Sequence, residues 1–443
     1  MHKSLRNWLF LIFIILFIVI TFFVALYAAG YSINRNWPPR FNNLFQKTGM
    51  LIIASQPSNA TIFLDDERQK KFPLLDIGRD DITTPTKIKN LAPGEYILRL
   101  EKDGYWPIEK KIKIESGKTT FEENFIMFRK SLPLNMAVCE PQELLFSPNK
   151  RSLVLQNDSL IINLRTGLIN ELPEINNNLV QWSKNSNQLL IDNTIINING
   201  TKISKQLKTL DPASHDIYWD EDNKKLYFQV GKTINYLSID TNTVHPLLSE
   251  GDYLNYAIYK NLVYTIERQS NKNYLRIYDL NNSLLKFSTE IPSGIYSFHQ
   301  NNQRLDLYNK SNKSLYILNN SEINPIIQKI ATVNSWQWLN NNFLIWKNDF
   351  EIYSMNITNG QRNLIIRLSE PLTGLAWNKS KTYIIYSSKN NIWIANLNLE
   401  KLTPINLLTA EDISNIHLDE RSQLLYFYAR IGQQAGIYKL QLQ

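Results

Sequence analysis

Acidic side chains are missing from the first 48 positions of this 443-residue chain, where Lys3, Arg6, Arg35, Arg40 and Lys47 stand alone. Cysteine occurs once, as Cys139, which excludes an intramolecular disulfide, a multi-cysteine zinc cluster and a redox pair. Glycine is scarce at 15 residues, and the chain contains no glycine-rich phosphate loop. H-E-x-x-H and G-x-S-x-G patterns are absent as well, which removes the commonest zinc-protease and serine-hydrolase signatures. What remains is 43% hydrophobic and 12% aromatic, the composition of a globular chain long enough for about two or three domains.

A net charge of +8 invites a nucleic-acid reading until it is divided along the chain. Residues 1–48 carry +5, residues 49–130 carry +1 and residues 131–443 carry +2. The large segments are thus nearly neutral, and no nucleic-acid partner is expected. The basic excess flanks one apolar run, Trp8 to Ala29 (WLFLIFIILFIVITFFVALYAA), with no charge between Arg6 and Arg35. Its length matches the roughly 20 residues needed to cross a bilayer. It exceeds the ~7–15-residue apolar core of a cleaved signal peptide, although Ala28-Ala29-Gly30 offers small residues at cleavage positions. Trp8, Tyr27, Tyr31 and Trp37 sit at its ends, where amphipathic rings favour the interface. Residues 8–30 are therefore read as an uncleaved transmembrane helix and residues 1–7 as a short cytoplasmic tail, too short for a signalling domain. Charge packed close on the N-terminal side places the N-terminus inside and the bulk of the chain outside the cytoplasm, as a single-pass protein of the cell membrane. Residues 31–48 form a juxtamembrane linker stiffened by Pro38-Pro39.

From Gly49 the pattern becomes one of short strands between turn signals. Met50 to Ala54, Thr61 to Leu64, Ile97 to Leu100, Lys110 to Ile114 and Phe121 to Phe128 alternate with Gln56-Pro57-Ser58-Asn59, Pro93-Gly94 and Asp103-Gly104. This predicts a compact antiparallel sandwich over residues 49–130, with Gly94 supplying a positive φ after Pro93. Tyr96 and Tyr105 are expected to pack on a sheet face. The series G-M-L-I-I-A-S-Q-P-S-N-A-T-I-F-L-D-D, then T-P-T, then L-A-P-G-E-Y-I-L-R-L-E-K-D-G-Y resembles the PEGA domain, a small extracytoplasmic β module of bacterial and archaeal surface proteins. A longer charged insertion, Glu67 to Asp81, departs from it and lengthens a loop. The resemblance implies no catalytic residues.

Residues 131–443 repeat. An aromatic-ended strand, a polar turn and a second apolar strand recur, as in Phe146-Ser147-Pro148-Asn149-Lys150 before Leu153-Val154-Leu155. Trp182-Ser183-Lys184-Asn185, Tyr218-Trp219-Asp220-Glu221, Trp338-Leu339-Asn340 and Trp377-Asn378-Lys379 repeat the line, with a degenerate copy near Tyr256 to Tyr264. A spacing of about 36–41 residues fits four-stranded propeller blades. The fold class is thus all-β after the anchor, with eight blades counted, or seven if one copy is misread. The repeat resembles the WD40-like blades of TolB-type propellers, whose aromatic-Ser-Pro-Asp-Gly line here carries Asn, Ser or Lys in place of Asp-Gly. The last unit has only three good strands, so Leu132 to Val138 is expected to supply its fourth and close the ring.

No catalytic, cofactor-binding or metal-ligating residue is designated, and no cofactor is expected. His2, His215, His245, His299 and His417 are scattered over unrelated positions. Asp220-Glu221-Asp222 is read as a solvated turn rather than a cation or glycosidase site. Trp336 and Trp338 share one face of a strand, as do Trp393 and Ala395, and are assigned to packing between blades. The expected function is that of a non-enzymatic, membrane-anchored binding or scaffold protein of the cell envelope, meeting a protein or envelope glycan at the propeller face. The alternative is an anchored glycan- or peptide-hydrolysing enzyme with paired carboxylates in the channel.

Overall fold

The computed structural model describes residues 3–33, 45–70, 81–142, 144–175, 179–198, 202–301, 304–319, 325–378, 380, 382–397, 403–419, 421 and 423–443. The first element is the helix Lys3–Ala28. Its stretch Trp8–Leu26 buries nothing against the rest of the chain, so a cylinder that is apolar but for Thr21 stands with its side chains outward. A helix satisfies its own backbone groups, which lets such a cylinder enter hydrocarbon. Gly30 ends it in the left-handed conformation (φ 81°) typical of a C-terminal cap.

The linker segment is more structured than a plain spacer. Tyr31–Ile33 pairs antiparallel with Phe45–Lys47, while Pro38 and Pro39 lie outside the described residues. Thr48 donates both its N–H and its hydroxyl to the Gly30 carbonyl, each at 2.8 Å. Ser116 Oγ donates to the Lys47 carbonyl (3.0 Å) and the Gly117 N–H to the Thr48 carbonyl (3.0 Å). The helix end is thus tied to the β domain that follows.

That domain has two facing sheets, one of four strands and one of three. Leu51, Ile53, Ala60, Ile62 and Leu100 are fully buried between them, each large aliphatic contributing about 1.5–3 kcal/mol by burial. Tyr96 and Tyr105 pack against this core, as expected for aromatics after turns. The sandwich is not wholly antiparallel: Gly49–Gln56 runs parallel to Thr119–Ile126, because the last strand returns from the other sheet. Nor does Gly94 take a positive φ. It starts the strand Gly94–Glu101, and the left-handed residue is Asn90 (φ 60°), at the bulge of the strand Thr86–Leu91. Within T-P-T, buried Thr84 is structural, its hydroxyl accepting the Ala60 N–H at 3.0 Å and sharing a hydrogen bond with Ser55 Oγ. The base of the Glu67–Asp81 insertion is held by an antiparallel bridge of Lys70 to Asp81 and an Arg68–Asp81 ion pair, and residues 71–80 lie outside the described residues.

After residue 133 the described residues form eight sheets of four strands each, so the count of eight blades stands; blades 1 to 7 open with the strands Leu144–Phe146, Val180–Trp182, His215–Trp219, Tyr253–Tyr259, Tyr296–Asn301, Ser335–Asn340 and Leu372–Trp377, and blade 8 with Glu411–Asp419. Within a blade the strands a, b, c and d follow one another antiparallel. The second strands Ser152–Leu155 and Tyr383–Ser388 are buried at every position, since blades pack on both faces and alternate residues serve alternate neighbours. Leu153 and Leu155 join Tyr426 and Ile437 of blade 8, while Val154 between them joins Val180 and Leu189 of blade 2. Leu190 clusters with Trp219, Tyr227 with Tyr256, and Leu275 with Leu307 across the next three interfaces. The series continues as Ile317 with Trp346, Ile345 with Trp377, and Ile385 with Phe427. Every neighbouring pair of blades therefore shares one apolar cluster, and the cluster between blades 8 and 1 completes the circle.

The closing pair is the expected one. Leu134–Val138 hydrogen-bonds to Gln434–Gln441 as the outermost strand of blade 8, alongside Leu424–Ile431 and Glu411–Asp419. Hydrogen bonds from turn and strand residues add links between blades at the repeat spacing. The Asn149 N–H donates to Ser186 Oγ (3.0 Å), Trp182 Nε1 to the Leu145 carbonyl (3.2 Å), and Tyr256 OH to the Asp216 carbonyl (2.7 Å). In the a–b turns of the first three blades the left-handed residue is Lys150, Ser186 or Asn223. Asn149 itself accepts from the Arg151 N–H (2.9 Å) and Ser147 Oγ (2.8 Å). The degenerate copy is a full blade whose a–b turn has shrunk to Lys260-Asn261, both left-handed, as a two-residue hairpin requires.

The β domain docks where the ring closes. Phe128 enters the cluster between blades 7 and 8 and meets Tyr383 edge-on at 5.2 Å, and the Arg129 N–H donates to the Leu442 carbonyl (2.8 Å). These contacts lie at the a–b turn end of the blades, and the b–c turns and d–a loops form the opposite face.

Two substitutions test this architecture. A Cβ on Gly436 would collide with the backbone of Ala137 and Val138 in the closing strand. Gly436→Ala is expected to lower stability by about 3 kcal/mol in urea unfolding. Lys150→Gly relieves a left-handed non-glycine residue (φ 58°) and is expected to raise stability by about 1 kcal/mol in the same assay.

Candidate functional site

A buried carboxylate joins two tryptophans between blades 5 and 6. Alternation along Ser335–Asn340 puts Trp336 and Trp338 on one face, and both indole N–H groups donate to Oδ2 of Asp306, at 3.0 and 2.6 Å. Asp306 sits on Arg304–Asn309 and is 1% exposed, and its Oδ1 has no hydrogen-bond partner among the described residues. Burial pushes its carboxyl up to about 6, against the opposing pull of the two indoles and of Arg304. His299 lies edge-on to Trp336 at 4.8 Å and shares a hydrogen bond with Ser297 Oγ (2.9 Å). Burial lowers the His299 pKa, with Lys310 acting in the same sense. The two tryptophans thus join blades through a shared carboxylate, and Trp393 packs between blades 6 and 7.

Next to this cluster, at the a–b turn end, a cavity of about 220 Å³ opens between blades 4, 5 and 6. Tyr259, Lys260, Tyr264, Arg304, Asn319 and Asn341 line it, with Leu305 and Leu318 as its apolar wall. The Arg304 guanidinium lies over Trp338 at 4.6 Å, and its Nε donates to the Asn341 carbonyl at 2.7 Å. Burial lowers the Arg304 pKa, while Asp306 and Tyr259 raise it. Lys260 Nζ is 5.2 Å from the centre of the Tyr259 ring. Tyr259 is 5% exposed, and its hydroxyl is buried with no hydrogen-bond partner among the described residues. Among the described residues no carboxylate lines the cavity.

Sequence reasoning missed this pocket because its residues come from three blades and the turn that supplies Lys260 belongs to the degenerate copy. One signal was present. Arg304 opens the second strand of blade 5, a position where a cation recurs only in blade 3, as Lys225.

The histidines do not converge. His215 is exposed near the Ala213 carbonyl, and His245 stacks on Tyr236 at 5.1 Å. His417 is stacked on Phe146 at 3.9 Å, and burial drives its pKa down to about 3, so it is neutral at neutral pH. His2 lies outside the described residues. Among the described residues no three His, Cys, Asp or Glu side chains are grouped to hold a metal ion. Asp220 caps its own turn by accepting the Lys224 and Lys225 N–H groups, and Glu221 pairs with Lys184 at 3.3 Å. Buried Glu267 is bonded by Thr265, Tyr278 and Arg276 within blade 4. Cys139 is buried between blades 8 and 1, which raises its thiol to about 11.

Residues 48–122 match the PEGA domain family, so the chain contains a PEGA domain. No curated protein matches the chain. Similar solved structures include one described as a eukaryotic initiation factor, at 12% identity and a TM-score of 0.47, covering 73% of this chain and 87% of that one. The Dos1 propeller is 12% identical with a TM-score of 0.45, covering 69% and 93%. Hsv2 of Kluyveromyces lactis is 12% identical with a TM-score of 0.34, covering 49% and 71%. The propeller assignment rests on the strand pairing and the eight shared clusters described above.

The Asp306 carboxyl gives a pH signature. Its folded value, about 6, is above the ordinary 3.8, so the folded state holds this proton more tightly than the unfolded chain. Its contribution is fully present below about pH 4 and lost as pH rises through 6, an effect of about 3 kcal/mol. Asp306→Asn is expected to flatten that part of the stability profile in urea unfolding between pH 4 and 7.

Proposed function

We propose that this chain is a membrane-anchored, extracytoplasmic binding protein of the cell envelope that uses its propeller as an interaction platform. The observation that carries the reading is the continuous mechanical path from a helix with a long exposed apolar stretch, through a PEGA domain tied to the helix end, to a ring held at its closing blade. Docking at blades 7 and 8 occupies the a–b turn end there, and the loops of the opposite face carry no contact with the PEGA domain among the described residues. A rigid ring presenting many loops suits recognition of a protein or envelope glycan. The N-terminus lies in the cytoplasm in this reading.

The alternative of an anchored hydrolase requires two carboxylates facing each other in a pocket. Among the described residues the cavity is lined by cations, amides, tyrosines and two leucines, with no carboxylate pair facing into it.

Protease added to intact cells or spheroplasts is expected to digest the propeller and PEGA domain while sparing the apolar helix. Crosslinking in the native envelope should then recover a partner through the propeller. Protection of the propeller until the membrane is lysed would refute the orientation and the envelope role together.

A further inference from the structure

We propose that the helix-facing end of the PEGA domain rests on the bilayer and binds anionic phospholipid headgroups through a cluster of lysines. The inference rests on the anchored reading above, because the bilayer must lie at the end of the apolar helix. Thr48 holds the Gly30 carbonyl at that end, and the strand Gly49–Gln56 starts one residue later. Leu91 pairs with Gly49 and Thr119 with Met50, and in the second sheet Gly94 pairs with Ile114. The Met50 N–H donates to the Lys118 carbonyl (3.0 Å), and a Cβ on Gly49 would collide with Ile114 and Glu115. One end of both sheets is therefore gathered at the helix terminus, while Thr119–Ile126 runs away from it toward the propeller contact at Phe128.

Charge follows that axis. Residues 47–52, 87–97 and 111–121, the helix-facing half, carry Lys47, Lys87, Lys89, Lys111, Lys113 and Lys118 against Glu95 and Glu115. All six lysines are exposed. Each acid pairs with one of them, Lys111 or Lys118, so four lysines are in excess. The other half, residues 53–70, 81–86, 98–110 and 122–130, carries seven basic and nine acidic side chains. Residues 34–44 contain Arg35 and Arg40 and no acid, and residues 71–80 contain two of each sign, so neither segment inverts this polarity. A nearly neutral domain thus turns its basic half to the bilayer, which complements headgroup phosphate. Lys87 and Phe121 flank Ile52 in one row of a sheet, and Phe121 is 62% exposed. At about 3.3 Å per residue that row lies about 10 Å from Gly49, near the interface where aromatic rings are favoured. Each lysine close to an anionic surface strengthens the contact about fivefold.

The test reconstitutes the full chain in vesicles of phosphatidylcholine alone or of phosphatidylcholine and phosphatidylglycerol in equal parts. Thr119→Cys, at the exposed start of its strand, carries a fluorophore, since the native Cys139 is buried. Quenching by a lipid with a nitroxide headgroup reads the approach of that site to the surface. It is expected to be about twofold stronger in the anionic vesicles, with the difference lost at high salt. Lys87→Gln, Lys89→Gln and Lys113→Gln together are expected to remove the difference with the circular dichroism spectrum unchanged. Equal quenching in the two vesicles, or an undiminished difference in the folded triple variant, overturns the proposal and leaves the anchored reading standing. Failure of the chain to float with either vesicle overturns the anchored reading and this proposal with it.

Discussion

The pairing of Leu134–Val138 with Gln434–Gln441 is what holds the ring shut. A ring of blades has no covalent closure, and its single cysteine is buried and alone. Without that strand, blade 8 would expose a hydrogen-bonding edge and the cluster it shares with blade 1 would lose one side. Gly436 shows how tightly the two segments approach, since its missing Cβ leaves room for the Ala137 and Val138 backbone. The same strand follows directly on the PEGA domain, so the segment that closes the ring also fixes the tether. Phe128 and Arg129 complete that joint on blades 7 and 8.

Between blades the burden is shared by apolar clusters and polar staples. Strands buried on both faces supply the first, and turn residues reaching the next blade supply the second. Glycine-poor turns are accommodated because Lys150, Ser186 and Asn223 accept a left-handed backbone. That strain is local, whereas Ser186 and Asn149 gain a link across the interface.

The interface between blades 5 and 6 departs from this pattern. Its packing centres on a buried carboxylate shared by two indoles, and among the described residues the polar cavity beside it is lined by cations and no carboxylate. Burial sets the proton affinity of Asp306, and the same blades position Arg304 at the rim of the pocket. Structure and candidate recognition therefore draw on nearby residues of one strand.

Much of the architecture was legible in the residues. The apolar run, the PEGA motif series, the blade count and the closing strand all follow from local periodicity and from the need to bury strand edges. The parallel pairing of Gly49–Gln56 with Thr119–Ile126 did not, because register between distant strands leaves no local mark. The hairpin at the helix end and the left-handed Asn90 were hidden for the same reason. Trp336 and Trp338 could be placed on one face from alternation, yet their shared partner Asp306 lies in the preceding blade. The pocket required three blades to meet before Tyr259, Lys260, Arg304 and Asn341 became neighbours. Residue order dictated the strands, their alternation and their repeat, because these depend on neighbours close along the chain. Which polar groups lost their water, and which side chains came to share one cavity, was settled when the blades packed, because those contacts join residues from separate repeats.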